Sequence, residues 1–292
     1  MRGRFIALAT MLVLSLFSGT AGAATGCLWG ARVSGVPIGE FEADLGRRLG
    51  VTRIYRTWNQ ALPGPEAAAD AAKGRVPILS FNTRRSGSTP IPWSEIAANR
   101  HDAALRAKAR AVRDFGRPLY LIFHHEPDNV HNRGVGDAAS FVAAWRVVHR
   151  IFAEVGTPNA TWVWTLSEIT FSRGQAASWY PGNRYTDLIG SDSYTYPERT
   201  WSQVADPARR FAASRSKPLT FPEWGIGERF NDATRARLVR EISAWMRNNG
   251  VVFASYYWSQ RPNKPDWRLY PGTAAFAAFR EVAHDPYFGG TG

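Results

Sequence analysis

The chain has one cysteine, Cys27, in 292 residues. No intramolecular disulfide can form, so stability has to come from a buried core rather than from covalent staples. Lysine is nearly absent. Lys73, Lys108, Lys217 and Lys264 are the whole set, and arginine carries almost all of the formal net charge of +12. The arginines are scattered among alanines along helix-like stretches and do not gather into a basic arm, so no nucleic-acid partner is expected. The histidines include no His-Glu-x-x-His pair, and the adjacent His124-His125-Glu126 is a poor arrangement for three ligands on one metal. No metal and no other cofactor is expected. A Gly-x-Ser-x-Gly elbow is missing, which excludes the usual esterase nucleophile. No glycine-rich phosphate loop follows the first strand-like run.

Long apolar runs are missing too. The one candidate, Phe5 to Phe17, has 13 residues, short of the ~20 that a membrane-spanning helix needs. Arg2 and Arg4 precede it, and Ser18-Gly-Thr-Ala-Gly-Ala-Ala24 follows. This is the pattern of a secretory signal peptide over residues 1–23, with Ala21-Gly22-Ala23 as cleavage context. The expectation is a secreted, extracellular protein without a transmembrane anchor. Ala24-Thr-Gly-Cys27 faintly resembles a lipoprotein box, but alanine stands where leucine is usual. A buried thiol in the first strand is therefore preferred to a lipid anchor at Cys27. No linker, repeat or low-complexity tract divides residues 24–292, which read as one large domain. A monomer is expected.

What the chain does have is alternation. Short β-branched or aromatic runs occur at Cys27–Val33, Thr52–Trp58, Val76–Thr83, Leu119–Glu126, Thr161–Ser167, Asp187–Tyr194, Pro218–Gly225 and Val251–Ser259. Many are almost continuously apolar, as strands covered on both faces should be. Helical periodicity fills the gaps. Leu105, Ala109, Val112 and Phe115 form one stripe. Phe141, Trp145, Val148 and Phe152 form another, with Asp137 as N-cap and Gly156 as stop. Leu238, Ile242, Trp245 and Met246 form a third, ended by Gly250. Eight strands alternating with helices predict an α/β fold of the (β/α)8 TIM-barrel type, with a doubly wound open sheet as the alternative.

Barrels of this type carry their chemistry at the C-terminal ends of the strands. There the tails read Trp58, Asn82, His125-Glu126, Glu168, Asp192 with Tyr194, Glu223 and Trp258. Glu126 and Glu223 stand out as two carboxyls delivered by different strands. That is the requirement of sugar-bond hydrolysis: one proton donor, and one nucleophile or base.

The ordered motifs His125-Glu126, Trp162-Val-Trp164, Tyr180-Pro-Gly182, Asp187-Leu-Ile-Gly-Ser-Asp-Ser-Tyr194 and Lys217-Pro-Leu-Thr-Phe-Pro-Glu-Trp-Gly225 resemble glycoside hydrolase family 26, the β-mannanase family of clan A barrels. The resemblance spans strands four to eight. It implies a retaining double displacement, with Glu126 as acid and then base and Glu223 as nucleophile. The two carboxyls should then stand roughly 5 to 5.5 Å apart. It also implies that His125 lines the subsite of the cleaved sugar, that Tyr194 hydrogen-bonds the nucleophile, and that Trp258 is a stacking platform for the sugar.

Strand alternation gives His124 the parity of Glu126, so which histidine enters the pocket stays open. Asp192 lies on the side of strand six that carries Tyr194, either orienting a neighbour or making a rim salt bridge. Trp58, Trp93, Trp179, Tyr196 and Trp201 are candidates for outer sugar subsites. Two departures concern substrate more than reaction. Ile122 stands where many members have arginine, and Pro127-Asp-Asn-Val-His-Asn-Arg133 lacks the usual Asn-Gly. Arg56, Arg84 and Arg85 could supply the missing cation or bind an acidic sugar. The expected activity is a secreted endo-β-glycanase acting on a mannan-like polysaccharide or oligosaccharide. The alternatives are a non-catalytic carbohydrate-binding barrel and a binder of acidic polymer through the basic surface.

Overall fold

A computed structural model describes residues 26–85, 89–262 and 264–289. Residues 1–23, where the sequence predicts a signal peptide, lie outside the described residues. Eight parallel strands close into a barrel in sequence order. They are β1 (Leu28–Ala31), β2 (Val51–Arg56), β3 (Val76–Phe81), β4 (Leu119–Phe123), β5 (Ala160–Ser167), β6 (Leu188–Thr195), β7 (Leu219–Ile226) and β8 (Phe253–Tyr256). The helices are α1 (Ile38–Leu45), α2 (Pro65–Ala72), α3 (Trp93–Ala97), α4 (Asp102–Phe115), α5 (Ala138–Val155), α6 (Glu168–Ser172), α7 (Ala176–Trp179), α8 (Trp201–Ser214), α9 (Asp232–Asn248) and α10 (Ala274–His284).

The helix stripes read from the sequence face the barrel. Leu105, Ala109 and Val112 of α4 are fully buried, as are Phe141, Trp145, Val148 and Phe152 of α5. Asp137 caps α5 in a reciprocal capping box with Ser140, and Gly156 ends it in a left-handed conformation at φ 78°. Cys27 is buried immediately before β1, the position of a core thiol.

Inside the barrel, Val51, Ile78, Ile122, Val163, Leu188 and Phe253 form an apolar plug, each from a different strand. Ile122, at the position where an arginine was looked for, belongs to this plug. Higher in the barrel the interior turns polar. The side chains of Arg53, Ser80, Thr165, Asp192 and Ser255 are buried there.

Two backbone irregularities set up the mouth. The first ends β4. The His124 amide makes a ladder bond to the Phe81 carbonyl, and the chain then takes left-handed φ values of 55° at His124 and 46° at Glu126. Residues other than glycine rarely adopt such values outside strained functional sites. Strand parity therefore fails beyond Phe123.

The second irregularity is a bulge in β7. Gly190 pairs with Thr220 and Asp192 with Glu223, so β7 carries one more residue than β6 over that interval. Without the extra residue, Phe221 and Glu223 would share a face. With it, Phe221 packs outward on Trp201 and Trp245, while Glu223 turns to the barrel interior. Proline at 222 suits the bulge because it has no amide hydrogen to offer the ladder.

Candidate active site

Glu126 and Glu223 line one cleft of about 890 Å³ at the C-terminal mouth of the barrel. Glu223 is 6 % exposed and heavily hydrogen-bonded. Tyr55 Oη donates to its Oε1 at 2.6 Å, and Tyr194 Oη donates to its Oε2 at 2.7 Å. Arg53 Nη2 lies 3.5 Å from Oε1 and His125 Nε2 4.0 Å from the same atom. Burial by itself would raise the Glu223 pKa. The positive charge of the His125 and Arg53 side chains and the two phenol donors outweigh it, and the net shift is downward. Burial pushes His125 itself down to about 4, so at neutral pH Arg53 supplies the charge. Glu223 is poised as a carboxylate.

Glu126 has the opposite environment. Burial, the Glu223 charge and the nearby Asp128 push its pKa up to about 8, against a single opposing hydrogen bond from Asn129. Asn129 Nδ2 donates to its Oε2 at 3.1 Å, and Asn132 Nδ2 holds its backbone carbonyl at 2.8 Å. Asp128 is fixed in turn by the Ser167 amide and the Thr170 hydroxyl. Glu168, at the start of α6, is also pushed up, to about 7, chiefly by burial. One cleft thus holds a neutral carboxylic acid and a carboxylate, the pair of states that acid-assisted displacement needs.

No protein-family model matches the chain. Among curated proteins it is similar to endoglucanase H of Acetivibrio thermocellus, 24% identical over 305 residues, covering 94% of this chain and 33% of that protein. β-1,3-Xylanase TXYA of a Vibrio species is 27% identical over 199 residues, 64% of this chain and 42% of that one. The chain thus spans less than half the length of either. Among solved structures, a glycoside hydrolase family 26 β-mannanase from Bacteroides ovatus superposes with a TM-score of 0.68 at 14% identity, covering 90% of both chains. A modular endo-β-1,4-mannanase from Cellulomonas fimi gives 0.68 at 16%, covering 91% of this chain and 72% of that one. The chain has the fold of glycoside hydrolase family 26.

Within this barrel the remaining sequence candidates divide. His125 enters the cleft, its ring 5.1 Å from that of Tyr55. His124 also borders the cleft, although its side chain is almost wholly buried. It is buried edge-on against Trp93, and its Nε2 accepts the Thr83 amide proton at 3.1 Å. Asp192 is fully buried, and among the described residues it makes no salt bridge and neither carboxyl oxygen has a hydrogen-bond partner. Burial raises its pKa well above the usual range, as do the charges of Glu223 and Glu126.

Trp258 is not a platform in the cleft. Interior parity on β8 runs Phe253, Ser255, Tyr257, so Trp258 points outward. There it packs on Phe41, and its Nε1 donates to the Leu269 carbonyl at 2.6 Å. Tyr257 and Trp267 line the cleft instead. Trp58 is also outside, against His101 and under the Lys108 ammonium. Trp93 and Trp201 are core residues, and of the outer-subsite candidates only Tyr196 reaches the cleft. Arg56 is committed to Glu66, whereas Arg84 does line the cleft.

Sequence reading passed over Arg53 and Tyr55. Their signal was present: in the run Val51-Thr-Arg-Ile-Tyr-Arg56 they share the parity of Val51, which points them into the barrel.

Proposed function

We propose that the chain is a retaining endo-β-glycanase, with Glu126 as general acid and base and Glu223 as nucleophile. The observation that carries the reading is two carboxyls on one cleft in opposite surroundings, Glu223 held by Tyr55, Tyr194 and Arg53 and Glu126 by Asn129. The first surroundings favour the charged form and the second, chiefly through burial, the neutral form. Glu126 gives its proton to the glycosidic oxygen as that bond to the anomeric carbon breaks. A Glu223 oxygen forms a bond to the same carbon. In the second half, Glu126 removes a proton from water, the water oxygen attacks the anomeric carbon, and Glu223 leaves as carboxylate. Tyr55, Tyr194 and Arg53 hold the Glu223 charge in the free enzyme. His125 borders the sugar bound at Glu223, and Tyr257 and Trp267 offer ring faces to it.

The matched proteins are named for glucan, β-1,3-xylan and β-1,4-mannan cleavage, which supports a β-linked polysaccharide as substrate. The reading has the protein secreted through residues 1–23 and acting as a monomer.

The test is reducing-sugar release from mannan, galactomannan, lichenan, β-1,3-xylan and a polyuronate by wild type, Glu126→Gln and Glu223→Gln. Expected is activity on at least one polymer, lost in both variants, with the first-formed product keeping the anomeric configuration by NMR. Inversion of that configuration would refute the nucleophile assignment. Silence of the folded wild type across the panel would leave a carbohydrate-binding barrel.

A further inference from the structure

The charge lining the cleft is one-sided. Arg32, Arg84, Arg261 and Lys264 line it, and among the described residues its only carboxyls are Glu126 and Glu223. Among the described residues, none of the four cations is within ion-pair distance of a carboxylate; the recorded bridges involve other side chains. Three of the cations, Arg32, Arg84 and Arg261, contact neutral groups. Arg84 donates to the His131 carbonyl and to Asn132 Oδ1. The Arg32 guanidinium lies 5.5 Å from the Tyr55 ring centroid, and that of Arg261 lies 5.9 Å from Tyr257. Guanidinium groups over aromatic rings keep their N–H edges free to grip a planar anion in two-point fashion.

The acids do not cancel this charge. Glu126, pushed up to about 8, is mostly neutral at pH 7, and the Glu223 charge is met from below by Arg53. Four cations around a concave, partly desolvated surface raise a positive potential and repel one another. A neutral sugar relieves none of that repulsion; an anionic one relieves it directly.

We propose that the cleft selects an anionic β-linked glycan, whose carboxylate or sulfate groups are bound by Arg32, Arg261 and Lys264 on the β8–β1 rim and by Arg84 above β3. The proposal rests on the glycanase reading and narrows its substrate. Arg261 lines the same cleft as Glu126 and Glu223, so the acidic group it binds belongs to the sugar chain held there.

The test is calorimetric titration of Glu126→Gln, a variant whose charge at neutral pH stays close to the native one. The ligands are size-matched manno-oligosaccharide, mannuronate oligosaccharide and sulfated xylo-oligosaccharide, at about 50 mM and about 500 mM NaCl. Expected at low salt is binding of an anionic ligand about tenfold or more tighter than the neutral one, an advantage largely lost at high salt. Which anionic ligand wins distinguishes uronate from sulfate ester. Arg32→Ala and Arg261→Ala should each cut the anionic affinity about tenfold and the neutral-ligand affinity much less, with both variants still folded by circular dichroism.

Neutral binding as tight as anionic would overturn the proposal, and so would Arg32 and Arg261 variants that bind like the parent. Hydrolysis of neutral polymers alone would overturn it while the glycanase reading stood. Salt-sensitive anionic binding without hydrolysis by the wild type would uphold the anion site and sink the glycanase reading.

Discussion

The Tyr194 hydroxyl reaches Oε2 of Glu223 at 2.7 Å from a strand position opposite Gly225. A Cβ at Gly225 would lie 3.0 Å from the Tyr194 ring and 2.9 Å from that of Trp267, so the glycine is what lets the phenol lie flat across β7. Tyr194→Phe and Tyr55→Phe should each lower kcat about ten- to hundredfold with little change in KM. Both should also move the acid limb of the rate profile upward, since each phenol favours the ionised Glu223. Gly225→Ala should mimic Tyr194→Phe and raise KM as well, because it displaces Trp267. Steady-state kinetics on one polymer would check all three, and unchanged kcat in both phenylalanine variants would refute the role given to the phenols.

The basic limb of kcat/KM should fall near the Glu126 value of about 8. Neighbours should move it in opposite directions. Asp128→Asn removes a negative charge that favours the protonated acid, so the limb moves down. Asn129→Ala removes a donor that favours the carboxylate, so the limb moves up. A pH–rate series on the three proteins gives the order, and a common limb for all three would detach it from Glu126.

Stability should follow the same group. The Glu126 pKa is raised in the folded protein from a reference of 4.5, so on raising the pH the unfolded chain loses this proton first. The contribution to stability is most favourable below about pH 4.5 and declines as pH rises through about 8. Glu126→Gln removes the penalty. It should melt like wild type at pH 4 and be more stable by up to about 5 kcal/mol at pH 9. Calorimetric melting at both pH values would check this, and equal melting at pH 9 would contradict it.

Trp258 and Trp267 should separate packing from binding. Trp258→Ala empties a core site between the barrel and α1 and should cost about 3 kcal/mol of stability. Trp267→Ala should raise KM severalfold through lost ring contact. Chemical denaturation beside kinetics would distinguish them, and a KM effect confined to Trp258→Ala would return it to the cleft.

Much of this architecture was legible in the chain. The eight apolar runs, the helix stripes and stops, and the placement of Glu126 and Glu223 toward the ends of the fourth and seventh runs all rest on local periodicity. The missed partners share one property. Tyr55 and Arg53 reach Glu223 across the barrel from β2, 168 and 170 residues away; local parity points them inward, but only barrel closure names Glu223 as their partner. The error over Trp258 was one of parity, since Tyr257 has the inward direction.

The sequence by itself determined the repeating strand–helix unit, because burial on both faces of a strand and one face of a helix is written in the spacing of apolar side chains. Only the tertiary structure decided where the chemistry points. The bulge at Pro222 and the left-handed turns at His124 and Glu126 break strand alternation where the carboxyls emerge. Closing the barrel then sets the charge of one strand against the carboxyl of another. Side-chain direction past the last ladder bond depends on what the neighbouring strands and loops press against it. That pressure exists only in the folded protein.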